Sequence, residues 1–125
     1  MPKIVHFELP FDDADRANKF YADVFGWKSS KWDGPEEYYL QDTGGDDEPY
    51  GIGGALIARQ SAVNFGGTLV VINVDDLDAY VDKVTTAGCE IVTPRTAIPG
   101  IGWFVNFRDT EGNVVGMFMD DNNAA

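Results

Sequence analysis

Hydrophobic and polar positions change rhythm several times along the first half of the chain. KIVHFELP (3–10) is a strand-like run. In DDADRANKFYADVFG (12–26), the apolar residues Ala17, Phe20, Tyr21, Val24 and Phe25 recur at helical spacing. Asp12 or Asp13 suits the start of that helix, where a side-chain oxygen accepts from free backbone N–H groups. Gly26 suits its end, where the backbone turns left-handed. Three strand candidates follow: WKSSKW (27–32), EEYYLQ (36–41) and YGIGGALIAR (50–59). The turn-rich DTGGDDEP (42–49) joins the last two.

The second half repeats this order. GTLVVINV (67–74) reads as a strand, and DDLDAYVDKVTTAG (75–88) as a helix. That helix has Leu77, Tyr80, Val81, Val84 and Ala87 on one face, acids at its start and Gly88 at its end. CEIVTP (89–94), GWFVNF (102–107) and NVVGMFM (113–119) are three more strands, and DTEG (109–112) is the turn before the last. The chain is therefore βαβββ written twice, with QSAVNFGG (60–67) as the connection. The predicted fold class is α+β: a single domain, 1–125, of two modules spanning about 1–59 and 67–120. One module alone leaves a sheet face poorly covered, so the halves are expected to pack together. Each helix is expected to cover one face of its own sheet, while the other faces curve into a shared cup able to take a small molecule.

At 125 residues and 44% hydrophobic, the chain can bury a real core. Cys89 is its only cysteine, which excludes an intrachain disulfide and points to a reducing, cytoplasmic setting. Just after a helix-ending glycine, it reads as a structural thiol. The opening MPKIVHFELP has no apolar core of a signal peptide, and no stretch approaches membrane-spanning length. A net charge of −12, from 21 acids against 9 bases, repels nucleic acid and favours neutral or cationic ligands. The acids gather at turns and helix starts, where they serve solubility and complement the helix dipoles.

Three stretches in order carry a resemblance to a known family: VHFELPFDDADRANKFYADVFGW (5–27), VDDLDAYVDKVTTAG (74–88) and IPGIGWFVNFRDTEGNVVGMF (98–118). Together with the repeat, they resemble the vicinal oxygen chelate superfamily, which includes glyoxalase I, bleomycin-resistance proteins and extradiol dioxygenases. The resemblance implies that metal-dependent relatives hold one divalent ion with His and Glu from the first and last strands of each module. Carried onto this chain, the first position is His6. The second falls near Gly53 and Gly54, the third on Leu69 and the fourth on Gly116. One ligand of four survives. No Asp, Glu or His occurs from Tyr50 through Val74, so a small shift of alignment does not restore the set. One ligand cannot offset the loss of an ion's water shell, so no metal and no other cofactor is expected.

The remaining chemistry centres on His6, the sole histidine, as a general base or hydrogen-bonding group. Glu8 lies two residues on, on the same strand face, where a carboxylate is expected to raise the imidazole pKa. PRTAIPGIGW (94–103) reads as a loop, either a simple strand connection or, where the resemblance places it, a rim of the cup with Trp103 as an aromatic contact. The expected cup residues are His6, Glu8, Leu69, Trp103, Gly116 and Phe118, with Tyr38, Tyr50, Arg59, Asn106 and Phe107 as further possibilities. GIGG (51–54) lacks the ending of a phosphate loop, and no nucleophile elbow is present. The expected function is metal-independent binding of a small molecule, as in the bleomycin-resistance branch. The alternatives are an enzyme of the same superfamily (a lyase, isomerase or hydroxylase-like activity) using His6 as base, and a glyoxalase-type metalloenzyme, which the missing ligands argue against. Open sheet edges in this fold need covering, and a homodimer is expected.

Overall fold

The computed structural model describes residues 2–44, 51–59 and 67–125. Tyr50, the acidic run 46–48 and most of the connection 60–67 lie outside the described residues. Contacts divide the chain into two compact units, His6–Leu69 and Met1–Val5 with Val70–Ala125. The first five residues thus group with the second half.

The first unit holds β1 (Lys3–Phe11) from His6 onward, α1 (Ala14–Phe25), β2 (Lys28–Lys31), β3 (Tyr38–Asp42) and β4 (Gly54–Ala58). Its strands lie in the order β2-β3-β4-β1. β4 runs parallel to β1 and antiparallel to β3. Asp13 caps α1 by accepting from the Arg16 backbone N–H at 3.0 Å. Gly26 ends it at φ 74, a left-handed conformation that glycine adopts without strain. Gly54 has a different reason to be glycine. A Cβ there would lie 2.5 Å from the Phe7 carbonyl oxygen and 2.6 Å from the Phe7 ring, which is laid against it across the β1–β4 pair.

α1 covers its sheet only in part. No residue of α1 is buried, and Phe20, Val24 and Phe25 are 51%, 57% and 60% exposed. The helix meets the sheet through a narrow seam. Tyr21 stacks on Trp27 at 4.6 Å, Trp27 touches the Phe7 ring at 5.6 Å, and Asn18 accepts from Gln41 at 3.0 Å. The apolar stripe of α1 is wider than that seam, so its outer part faces solvent.

The second unit holds β5 (Leu69–Asn73) from Val70 onward, α2 (Leu77–Thr86), β6 (Glu90–Ile98), β7 (Gly102–Arg108) and β8 (Val114–Asp120). Its strands lie in the order β5-β8-β7-β6. Asp76 caps α2 by accepting from the Ala79 N–H at 3.1 Å, and Gly88 follows the helix at φ 86. Here the predicted helical face does pack. Leu77 joins Val74, Val105 and Met117 in a buried cluster, with Tyr80, Val81 and Val84 against it.

PRTAIPGIGW is not a long loop. β6 runs through Pro94 to Ile98, and the chain reverses in a tight turn closed by the Ile101 N–H on the Ile98 carbonyl at 2.9 Å. Pro94 fits inside a strand because it falls within the second of two pairing shifts of the β6–β7 ladder, Ile91/Thr93 and Thr93/Thr96, and among the described residues β6 has no strand on its other side.

Candidate functional site

Successive strand residues point to opposite faces, which sorts the side chains of the first unit. Phe7 reaches Trp27 beside α1, and Phe11, in phase with it, meets Tyr39 at 5.9 Å. His6 and Glu8 are out of phase with Phe7 and so occupy the face away from α1. Tyr38 alternates with Tyr39 and shares that face. Its ring lies nearly parallel to the His6 imidazole, 11° between planes, with centroids 6.3 Å apart. Ala55, fully buried on β4, pairs with Glu8 on one side and Leu40 on the other. Its short side chain leaves room for Tyr38 to reach across β4 towards β1.

The Tyr38 hydroxyl therefore joins two groups. It lies 2.5 Å from His6 Nε2 and hydrogen-bonds the Glu8 carboxyl. Trp32 meets the Tyr38 ring edge-on at 5.7 Å, and its backbone N–H donates to the Tyr38 carbonyl at 2.9 Å. Glu8 is 5% exposed, and its Oε1 is buried with no hydrogen-bond partner among the described residues. A buried acceptor left unmet is uncommon in a folded protein and asks for a reason.

Burial sets the protonation states. It raises the Glu8 pKa, and the Tyr38 hydrogen bond offsets part of the rise. It also raises the Tyr38 phenol, helped by the charge of Glu8, so the hydroxyl keeps its proton. The expected upward shift of His6 is corrected: desolvation lowers it, because burial penalises the imidazolium. The cluster is thus a neutral imidazole, a phenol and a carboxyl bonded in series.

The second unit sorts by the same alternation. Trp103, Phe107 and Met119 pack with the core beneath α2. Gly116 pairs with Asn106 and Val71, and Phe118 with Phe104 and Asn73, on the opposite face. Trp103 is therefore corrected as a companion of Gly116 and Phe118. It donates to Asp121 at 3.0 Å and lies under the Arg95 guanidinium. Phe107 likewise belongs to the core. Leu69, buried, opens β5 in phase with Val71. Gly116 is buried and has no positive φ. Arg59 pairs with Asp12 at 2.8 Å. Cys89 is partly buried and precedes β6.

The donors described at the expected positions do not make up a ligand set for a divalent ion. Among the described residues, no three of His, Cys, Asp and Glu come together. His6 and Glu8 are two ligand types on one strand, and Tyr38 already engages both. Gly54, near the second expected ligand position, faces Phe7 and has no room for a side chain. Leu69 and Gly116 offer no donor atom.

Residues 3–117 match the model of the Glyoxalase/Bleomycin resistance protein/Dioxygenase superfamily, and the chain belongs to that family. It is 33% identical over 116 residues to a glyoxylase-like domain-containing protein of Didymella fabae, covering 89% of this chain and 88% of the relative. It is 28% identical over 119 residues to CFP32 of Mycobacterium bovis, covering 90% of this chain but 43% of that protein. Among solved structures, a methylmalonyl-CoA epimerase from Streptomyces coelicolor in complex with 2-nitronate-propionyl-CoA matches at a TM-score of 0.68 and 16% identity. That match covers 98% of this chain and 97% of the epimerase. At this identity the likeness is one of fold. None of the described helices is long and apolar enough to cross a membrane.

Proposed function

We propose that the chain binds a small organic molecule without a metal ion, anchoring the polar part of that molecule on His6, Tyr38 and Glu8. The observation that carries this reading is the Glu8 carboxyl, buried with Oε1 unpartnered beside a phenol and an imidazole. A polar cluster with an unmet acceptor costs stability, and a ligand that meets it recovers that cost. The absence of a three-donor cluster among the described residues supports binding without a metal. We also propose that the chain works in the cytoplasm as a homodimer, a reading supported by the exposed apolar stripe of α1.

A second reading, an enzyme of the same superfamily with His6 as base, is favoured by one observation. Burial keeps the imidazole unprotonated, and a neutral imidazole can accept a proton. Tyr38 would then hold the ring in place through Nε2.

The test is a thermal-shift screen of a metabolite library against metal-stripped protein, run in parallel on Tyr38→Phe. Hits that raise the melting temperature of the parent and not of the variant support the reading. Hits that raise both equally place the ligand elsewhere and refute it.

A further inference from the structure

We infer that the molecule bound at the His6–Tyr38–Glu8 cluster carries a protonated amine, which donates to Glu8 Oε1 while its apolar body packs against the rings of Tyr38 and Trp32. The inference rests on the reading above and narrows its ligand class.

Four observations converge on it. The unmet atom is an acceptor, so the ligand must bring a donor. Tyr38 has one hydroxyl proton to place between His6 and Glu8, and the His6 nitrogen engaged by the cluster, Nε2, lies 2.5 Å from that hydroxyl and not on Oε1. Among the described residues no ion pair includes Glu8, which is 5% exposed. A carboxylate buried without a positive partner is costly, and an incoming cation would be that partner. Finally, Trp32 stands edge to face with the Tyr38 ring at 5.7 Å, and aromatic faces attract an ammonium group. The ring of Trp32 is itself fixed, because it lies over Gly34, where a Cβ would come within 2.0 Å of it. The overall charge of −12 acts in the same direction at long range.

Three probes of similar size separate the possibilities: benzylamine, benzyl alcohol and benzoate. Each is titrated into the full chain and followed by the NMR signals of the Trp32 indole N–H and the Glu8 and Tyr38 amides. Benzylamine is expected to move these signals and to bind about tenfold tighter than the alcohol, because a charge-assisted hydrogen bond is roughly twice as strong as a neutral one. Benzoate is expected not to bind there. In Glu8→Gln, benzylamine should fall to the affinity of the alcohol. If benzyl alcohol or benzoate binds at these residues as tightly as the amine, the amine inference is overturned and the anchoring role of the cluster stands. If none of the three moves the signals, the inference is overturned, and the thermal-shift screen alone then decides the broader reading. Should Glu8→Gln fail to fold, the ranking of the three probes on the parent protein still decides.

Discussion

Replacing Glu8 with glutamine is expected to stabilise the folded chain at neutral pH, although it alters a buried, hydrogen-bonded residue. Gln is nearly isosteric and keeps an acceptor for the Tyr38 hydroxyl. It removes a charge that burial disfavours, on a residue only 5% exposed. A buried polar group without a partner costs about 1–3 kcal/mol, and more when charged. The amide still leaves one polar group unmet, so the expected gain is part of that, about 1–2 kcal/mol. In a domain of this size that is a rise of roughly 4–8 °C in Tm. The gain must depend on pH. The folded pKa of Glu8 is raised above the ordinary carboxyl value of 4.5. Its contribution to parent stability is therefore whole below that value and is lost as pH rises through the folded pKa. The difference between variant and parent should be larger near pH 8 than near pH 5, because Glu8 in the parent takes up its proton as the pH falls through its raised folded pKa. Urea unfolding of both proteins at the two pH values measures it. A variant less stable than the parent near pH 8, or a difference that does not change with pH, would refute the view of Glu8 as an uncompensated buried carboxylate.

Gly54→Ala is expected to lower stability by about 2–3 kcal/mol, because its Cβ meets the Phe7 backbone and ring; an unchanged melting temperature would show that the strands separate easily. Tyr38→Phe should cost about 1–3 kcal/mol in unfolding experiments by leaving two buried groups unmet, and a variant as stable as the parent would mean that the hydroxyl joins nothing. Light scattering should give a mass twice the 13.7 kDa of one chain, and a monomer at every concentration would count against the dimer.

The two βαβββ runs were legible because their helices and strands carry distinct periods and punctuation. Asp13, Gly26 and Asp76 stand at helix ends for reasons visible in the sequence itself. The strand through Pro94 was not legible, since proline and glycine signal loops and a pairing shift leaves no trace in composition. The exposure of Phe20, Val24 and Phe25 was hidden too, because periodicity marks an apolar face without saying how much of it a sheet covers. At the site, the pairing of His6 with Glu8 followed from their two-residue spacing. Tyr38 as the link did not: it depends on the register of β3, β4 and β1 and on the small size of Ala55 between them. Trp103 was placed with Gly116 on the strength of a loop that is a strand, and strand phase turns it to the core.

The central claim is that this chain holds a small molecule on His6, Tyr38 and Glu8 with no metal between them. The most direct measurement is an NMR titration of the first hit from the library screen, repeated with and without a strong chelator. The account predicts that the His6, Glu8 and Tyr38 signals move in both titrations and give the same Kd. Binding that disappears in chelator and returns on adding a divalent ion would contradict it.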